Sequence, residues 1–318
     1  MLSKASLKQE FSKDWKKHYC VGLFRERGFS RKQCLKCGKS FWTLDHERKL
    51  CGDSSCEPYG FITAKPRKAD YVDNWKKFES FWVKHGHEAV ARYPVICRWR
   101  DDLYFTVASI VDFQRWHEGR ITFEYPSDKL IVPQVSLRFG DIPNVGVTGR
   151  HLTGFVMAGQ HAFGAPKTGY WKDECIALNF EILTKTFGIP EKELTYVEDL
   201  WAMPDFSAFG PSIETYSRGL ELVNNVFMQF THAGGVTNEL ATKVIDVGWG
   251  FGRVPWYFSG APTLYDVEFG PVVEKLKKLS GVKYDADLFL RHARIAGALD
   301  IDEVRDLKKV RQGIAAQL

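Results

Sequence analysis

The sequence predicts an α+β protein in which a large antiparallel sheet is flanked by helices. Strand-like segments occur in pairs on either side of a loop: residues 130–137 with 152–159, and residues 219–232 with 243–252. These strands outnumber the helices that could cross over between them, which favours an antiparallel sheet over a doubly wound parallel one. Four cysteines close together near the N-terminus predict a small metal-binding module ahead of the sheet.

The bulk composition is that of an ordinary globular protein. The chain has 318 residues, of which 44% are hydrophobic and 26% charged, enough for one large or two smaller domains. The formal net charge of +5 is compatible with a polyanionic ligand but does not require one. The sequence lacks an 18-residue apolar run and a secretory h-region, so we expect a cytoplasmic protein with reduced or metal-bound cysteines.

Helical patterns lie at both ends of the chain and between the strand pairs. Residues 1–30 are charged and helical in pattern. Aromatic residues at near-helical spacing and a closing glycine predict an amphipathic helix ending at Gly86. A second helix is expected over residues 175–188, and a turn over residues 233–240 separates the second pair of strands. Residues from 271 onward are again amphipathic and helical in pattern.

The cysteine cluster has a spacing typical of a structural zinc site. Its members form a C-x2-C-x13-C-x4-C pattern, and a glycine in each half lets the backbone turn. Four thiolates complete a tetrahedral Zn²⁺ site without a further ligand, so such a site is structural rather than catalytic. The alternative is four unliganded thiols. The predicted zinc ligands are Cys34, Cys37, Cys51 and Cys56.

The first strand pair carries an arginine at each root of its loop. Arg138 follows the first strand, and Arg150 precedes His151 at the start of the second. Two planar, permanently charged guanidinium groups facing one cleft suit a polyanion such as a triphosphate. The alternative is that both arginines pair with surface carboxylates.

A second candidate site follows the last predicted strand, in the stretch "DVGWGFGR". Asp246 ends an apolar run, while Gly248 and Gly250 leave room for a ligand to approach the backbone. Arg253 then begins a possible helix. The third glycine of a dinucleotide-binding fingerprint is missing, which excludes that motif. A glycine-rich turn with an exposed arginine is the alternative interpretation.

Together these segments resemble the catalytic core of archaeal-type alanyl-tRNA synthetases, a family of class II aminoacyl-tRNA synthetases. The resemblance extends over roughly residues 31–270. It implies three regions: an N-terminal helix and zinc-type module over 1–62, a class II catalytic core over 63–270, and the start of a helical tRNA-recognition region over 271–318. The segments that carry it are "CLKCGKSFWTLDHERKLCGDSSCEPY", "RYPVICRWRDDLYFTVASI", "RFGDIPNVGVTGRHLTGFVMAG", "GPSIE", "NNVFMQF" and "IDVGWGFGR".

The resemblance also implies roles for the candidate residues. Activity would be the ATP- and Mg²⁺-dependent formation of alanyl-adenylate and its transfer to the acceptor end of tRNA(Ala), with zinc as a structural metal. Arg138 would bind the α-phosphate and Arg253 the γ-phosphate as the catalytic arginines. The other implied contacts are Arg150, His151 and Gly250 for ATP, Asp246 for the α-ammonium group, and Asn224, Trp201 and Gly248 for the rest of the amino acid.

The chain departs from the family pattern at three positions of the expected active site. Val156 replaces an acid, Val247 a hydroxyl residue and Gly252 a second acid. The regions expected to edit errors and to oligomerise are not represented in the sequence, which predicts weak engagement of tRNA. Two alternatives remain: a stand-alone paralogue that activates a small amino acid for a non-tRNA acceptor, and a non-catalytic zinc- and RNA-binding relative. Neither DNA nor a membrane is an expected partner.

Overall fold

A computed structural model describes residues 2–62, 64–67, 70–117, 120–146, 148–165 and 167–280. The α-helices of the described residues are α1 (Lys4–Lys13), α2 (Trp15–His18), α3 (Gly22–Arg27), α4 (Tyr71–Lys84), α5 (Lys172–Glu181), α6 (Arg253–Ser259), α7 (Tyr265–Glu268) and α8 (Gly270–Ser280). The strands are β1 (Ser30–Gln33), β2 (Ser40–Thr43), β3 (Glu88–Ala89), β4 (Gln114–His117), β5 (Arg120–Phe123), β6 (Lys129–Leu137), β7 (Gly154–Ala165), β8 (Leu194–Ala202), β9 (Phe209–Ser217), β10 (Leu220–Ala233) and β11 (Val236–Gly250).

Nine of these strands form one sheet in the order β1-β2-β8-β9-β10-β11-β7-β6-β3. The pairs from β1 through β11 to β7 are antiparallel, and only the short β3 is recorded as parallel to its neighbour β6. The predicted α+β class with a large antiparallel sheet and flanking helices is therefore confirmed. β4 and β5 form a separate two-stranded hairpin.

Both predicted strand pairs are present, but the second is longer and its turn is tighter than expected. β6 and β7 are neighbours in the sheet, and the loop between them contains a short 3-10 helix, Ile142–Asn144. β10 and β11 are joined through Gly234 and Gly235 alone. Both glycines have positive φ, which a two-residue hairpin turn of this kind requires. The predicted eight-residue turn was wrong because most of those residues belong to β11.

Helices α4 and α5 pack on one face of the sheet. Side chains alternate between faces along a strand, so Asn225 and Trp249 point away from the face that carries Asn224. Asn179 of α5 donates a hydrogen bond to Asn225 Oδ1 at 2.8 Å, and Phe78 of α4 contacts the Trp249 ring edge-on at 5.4 Å. The two helices therefore pack on the face opposite to the one that carries Asn224 and the polar residues described below.

The N-terminal helix α1 is stabilised by a capping box at its start and by the burial of two apolar side chains. Ser3 and Ser6 form a reciprocal capping box that satisfies backbone donors at the start of α1. Leu7 and Phe11, four residues apart on one face, are both buried, and α1 contacts β8. A charged helix of this length is marginal in isolation, so burial of these two side chains is what fixes it.

The chain divides into two compact units. The first comprises Met1–Tyr59, Trp75–Ser136 and Val156–Phe251; the second comprises Gly60–Asn74, Leu137–Phe155 and Gly252–Leu318. Helix α8 confirms the helical pattern as far as Ser280, and the helical pattern predicted for the later residues lies outside the described residues. The domain boundaries given above stay a prediction. Among the described residues, none of the helices has the length and apolarity needed to cross a membrane.

Candidate active site and cysteine cluster

The four predicted zinc ligands lie together in the first unit. All four Sγ atoms are within 4.8 Å of one another, and the Cys37 and Cys51 sulfurs are 3.8 Å apart. Zinc–sulfur bonds of about 2.3 Å in a tetrahedron place sulfur atoms about 3.8 Å apart. The donor set and its spacing therefore fit a tetrahedral metal ion. The chain's seven cysteines are all free thiols, so no disulfide competes for these sulfurs.

The backbone around the cluster favours a thiolate at one of its cysteines, Cys34. Gly38 and Gly52 have φ of 75° and 96°, the left-handed conformation that the turn after each cysteine requires. Burial raises the pKa of the Cys34 thiol, but backbone N–H groups of Cys37, Lys36 and Cys51 outweigh burial and hold that pKa at about 6. Cys34 is thus prepared to bind a cation as a thiolate.

The predicted amino-acid contacts share one face of the sheet in the first unit. Asn224 of β10 lies directly opposite Gly248 of β11 on one side and Glu214 of β9 on the other. Asp246 lies two residues before Gly248, so both point to the same face. Trp201 of β8 belongs to this face as well, because it lies opposite Gly210, four residues before Glu214. The structure thus brings Asp246, Asn224, Gly248 and Trp201 onto one surface.

Polar atoms on this face have unused hydrogen-bonding capacity. Asn224 Oδ1 is buried and accepts no hydrogen bond from the described residues. Such a group costs free energy unless a ligand or water completes it. Gly248 places no side chain on this face of β11. A Cβ added to it would lie only 3.3 Å from Met157 Sδ. The Met157 side chain thus lies over Gly248, and Asn224 Oδ1 remains the polar atom that a ligand or water would complete.

Asp246 has a buried histidine beside it that sequence reasoning missed. His161 of β7 lies directly opposite Asp246, with Nδ1 at 3.4 Å from Asp246 Oδ1. Its Nε2 is 3.0 Å from the Ser109 hydroxyl. Burial lowers the pKa of His161 to about 3, although the Ile245 carbonyl acts in the opposite direction, so the imidazole is neutral and the contact is not an ion pair.

Glu214 is an acid held partly in its neutral form. Burial is the main cause, and the neighbouring Glu221 and Asp199 add to it, so that the pKa of Glu214 is raised to about 7. The Tyr216 hydroxyl donates a hydrogen bond to Glu214 Oε2 at 2.9 Å and opposes this shift. The Glu214 carboxyl group on this face therefore gains or loses its proton near neutral pH.

We expect Glu214→Gln to stabilise the fold in a pH-dependent way. A raised folded-state pKa favours folding below the unfolded value near 4.5, and this advantage is lost as the pH rises to about 7. Glutamine is uncharged at every pH, so its burial does not become more costly as the pH rises. The free energy of unfolding of the variant should therefore exceed that of the parent by roughly 1–3 kcal/mol at pH 8 and by little at pH 4. Urea unfolding at both pH values measures this, with the exposed Glu47→Gln as control. An equal difference at both pH values would contradict it.

The second unit holds the predicted phosphate contacts of the β6–β7 loop. The loop is closed by a hydrogen bond from the Arg138 N–H to the Thr153 carbonyl at 2.9 Å. Tyr265 of α7 steadies it, because its hydroxyl accepts from the Gly146 N–H and donates to the His151 carbonyl, each at 2.7 Å. These hydrogen bonds fix both ends of the loop and its residue Gly146 against α7.

Three of the predicted ATP contacts lie close together within this unit. Burial lowers the pKa of His151, and the charges of Arg150 and Arg253 lower it further, although Asp141 opposes them. Arg253 begins α6, as predicted from the sequence. The charges of Arg150 and Arg253 thus act on the same place, at His151. Two guanidinium groups so arranged favour an anionic ligand.

Glu268 occupies the space that a side chain at position 252 would need. A Cβ added to Gly252 would overlap Glu268 Oε1. Burial raises the pKa of Glu268 to about 7. The carboxyl group of Glu268 in α7 therefore lies where an acidic side chain at position 252 would begin.

The family of the chain follows from a direct comparison. The family model described as "tRNA synthetases class II (A)" matches residues 75–318, more than three quarters of the sequence. The chain belongs to the class II tRNA synthetase family. This confirms the resemblance noted in the sequence analysis.

Relatives of this class II synthetase carry a consistent name. "Alanine--tRNA ligase" of Nitrosopumilus maritimus is 48% identical over 98% of this chain and 35% of its own length. The protein of the same name from Thermococcus kodakarensis is 41% identical over 93% of this chain and 34% of its own length. The chain thus spans about a third of the length of the curated relatives it matches. A solved aspartyl tRNA synthetase from Entamoeba histolytica has a TM-score of 0.40 at 11% identity over 62% of this chain and 56% of that chain, too low to support an argument.

The candidate residues predicted from the sequence divide between the two units, and two buried polar neighbours of Asp246 were not predicted. The first unit contains Asp246, Asn224, Gly248, Trp201 and Gly250; the second contains Arg138, Arg150, His151 and Arg253. His161 and Ser109 were missed. The one available signal was a pair of polar residues, Gln160 and His161, that interrupts the apolar run of β7.

Proposed function

We propose that this chain activates alanine with MgATP to give alanyl-adenylate and transfers the alanyl group to tRNA(Ala). The names of its relatives support this function. The observation that carries it is the set of Asp246, Asn224 and Gly248 on one face of the sheet, where a carboxylate, an unsatisfied amide oxygen and a residue without a side chain lie side by side. Alanine offers an ammonium group and a single methyl group, which match these features.

The proposed chemistry needs little more than positioning. A carboxylate oxygen of alanine attacks the α-phosphorus of ATP, a new P–O bond forms, and the bond to pyrophosphate breaks. Asp246 holds the α-ammonium group, while Asn224 and Trp201 border the amino acid. Activation then depends on orientation and on charge stabilisation at the phosphates, because the protein itself forms no covalent bond.

Cations supply the charge stabilisation in this proposal. Arg138 contacts the α-phosphate as it becomes pentacoordinate, and Arg253 contacts the γ-phosphate. Arg150, His151 and Gly250 complete the ATP site. Mg²⁺ enters with ATP as part of the substrate. A guanidinium fork binds two phosphate oxygens at once, which fixes the geometry as well as the charge.

The four cysteines are proposed to bind one zinc ion that stabilises the fold. Bound zinc would cross-link Cys34, Cys37, Cys51 and Cys56 and supply no step of the reaction. The zinc site and a cytoplasmic location, predicted from the absence of a secretory signal, belong to the same proposal.

ATP–pyrophosphate exchange with a panel of amino acids tests the function. We expect exchange with alanine and measurable exchange with serine and glycine, because one hydroxyl or methyl group is discriminated by only about 1–3 kcal/mol. Charging of tRNA should be weak and sensitive to salt, since a net charge of +5 gives only a general attraction to RNA. Exchange with alanine but transfer to a protein or small-molecule acceptor would favour the paralogue, and no exchange at all would favour the non-catalytic relative.

Asp246→Asn should weaken amino-acid binding selectively. The substitution keeps the shape of the side chain but removes the charge that pairs with the ammonium group. We expect the KM for alanine to rise roughly 10- to 100-fold, as for loss of a charge-assisted hydrogen bond, with the KM for ATP unchanged. Asp205→Asn, in an exposed turn, is the control. Equal effects on both substrates would contradict the assignment.

A further inference from the structure

Ser109, His161 and Asp246 form a continuous chain of polar side chains in the first unit. Ser109 Oγ lies 3.0 Å from His161 Nε2, and His161 Nδ1 lies 3.4 Å from Asp246 Oδ1. Ser109 and His161 are completely buried, whereas Asp246 is 9% exposed. The order resembles the relay of a serine hydrolase, but here the serine is at the buried end, so it cannot act as a nucleophile.

The protonation of the ring follows from its two neighbours. A carboxylate can only accept a hydrogen bond, so the His161 nitrogen that faces Asp246 must carry the proton of the neutral ring. Nε2 is then the acceptor, and the Ser109 hydroxyl donates to it. The Asp246 carboxylate therefore favours the tautomer in which Nδ1–H points at it, and the Ser109 hydroxyl holds the other side of the ring in place.

The fold makes room for this chain at a specific glycine. Gly159 lies on β7 two residues before His161, and a Cβ added there would overlap both Ser109 Oγ and His161 Nε2. Any larger residue at this position would separate the two groups. The Ser109–His161 hydrogen bond thus depends on the absence of a side chain at position 159.

His161 Nδ1 makes no hydrogen bond of ordinary geometry to the described residues, and Asp246 Oδ1 approaches it to 3.4 Å. An unsatisfied buried N–H is costly, and the carboxylate at 3.4 Å is within reach of a small side-chain adjustment. The Ile245 carbonyl also faces the ring and is the competing acceptor. A donor at Oδ1 would fix the rotation of the carboxylate and turn Oδ2 towards the ligand.

We propose that His161, aligned by Ser109, is a positioning residue that orients the Asp246 carboxylate for the α-ammonium group of the amino acid. This inference rests on the proposed function. It assigns His161 no contact with substrate. Its effect should appear in amino-acid affinity, while ATP binding and folding are left largely unchanged.

Two substitutions separate the two ring nitrogens. The amide nitrogen of asparagine takes the place of Nδ1, so His161→Asn keeps a donor to Asp246 and loses the contact with Ser109. Glutamine reaches the place of Nε2, so His161→Gln keeps a partner for Ser109 and loses the donor to Asp246. A merely structural role for His161 would not distinguish the two variants in this direction.

The test is the KM for alanine and for ATP in pyrophosphate exchange by the full 318-residue chain. We expect His161→Gln to raise the KM for alanine about tenfold and His161→Asn to raise it less than about twofold, with the KM for ATP unchanged in both. Equal values of the alanine KM in the two variants would overturn the inference, because the ring would then serve only the Ile245 carbonyl and the core.

A milder variant covers the case in which a histidine substitution prevents folding. Ser109→Ala removes one hydroxyl and should raise the alanine KM about threefold at unchanged ATP KM, because the ring loses the hydrogen bond that holds its orientation. An unchanged alanine KM would overturn the inference. Lack of alanine-dependent exchange by the unaltered chain would overturn the proposed function and this inference with it, so the two failures are distinguishable.

Discussion

Replacing Arg138 by alanine is expected to slow adenylate formation by roughly 10²–10³-fold, the usual effect of deleting one donor that stabilises a transition state. Arg138 is exposed and begins the loop between β6 and β7. Its guanidinium carbon lies 5.3 Å from the centre of the Phe155 ring, a cation–π contact that restricts the direction of the side chain. The fork is thus held in place before ATP arrives.

The loss should fall on kcat more than on the KM for ATP. The oxygens bound to the α-phosphorus become more negative only as the fifth bond to phosphorus forms. A contact to these oxygens therefore stabilises the transition state more than the ground state. Arg138→Lys keeps the charge but not the planar fork, and should recover only part of the rate. Pyrophosphate exchange at saturating ATP and alanine measures this effect.

A matched control exists on the surface of the first unit. Arg27 makes an exposed ion pair with Glu191 at 3.7 Å, and Arg27→Ala should leave exchange unchanged. If Arg138→Ala had exchange kinetics equal to those of the Arg27 variant, the assignment of Arg138 to the α-phosphate would be wrong.

The second large effect concerns the cysteine cluster. Cys51→Ala should reduce bound zinc from about one ion per chain to a small fraction and lower the midpoint of thermal unfolding by about 10 °C, because a structural zinc site contributes binding free energy directly to folding. Cys51 is completely buried beside Phe41 and Val197, so the cluster is part of the core between β2 and β8. A chelator should destabilise the parent chain in the same way.

Cys97→Ala provides the control for this prediction. Cys97 is also buried, at 4% exposure, but stands outside the cluster. Its replacement should cost some packing energy and leave the zinc content intact. Elemental analysis of both variants, together with hydrogen exchange over residues 30–57, separates the two effects. Purified parent chain without zinc and with four titratable thiols in this segment would contradict the assignment.

The sequence predicts those parts of the fold that depend on local pattern. The strands on either side of Arg138 and His151 are apolar runs bounded by loop-forming residues, and the cysteine spacing is local as well. β9 was harder, because Gly210 and Pro211 are typical of a break in a strand. In the structure Gly210 lies within β9. Its lack of a side chain lets β10 approach closely, because an added Cβ would overlap the Phe227 carbonyl.

The alignment of strands could not be predicted from the sequence. Asn224 lies opposite Gly248 only because β10 and β11 turn within two glycines and because the pairing shifts between Met228 and Phe230. A longer turn or a straight ladder would place other residues together, since a shift of one residue reverses every side chain. His161 faces Asp246 through a different pairing, that of β11 with β7, which local pattern does not reveal either.

That shift also separates the two ends of the long β10–β11 ribbon. The tip around Gly234 and Gly235 is exposed, and an added Cβ at either glycine would meet nothing within 4 Å. Exposed turns of small residues are where proteins tolerate inserted segments. The tip is therefore a natural point for this chain to gain or lose length during evolution, and for an affinity tag or a fluorophore, while the polar face at the other end keeps its arrangement.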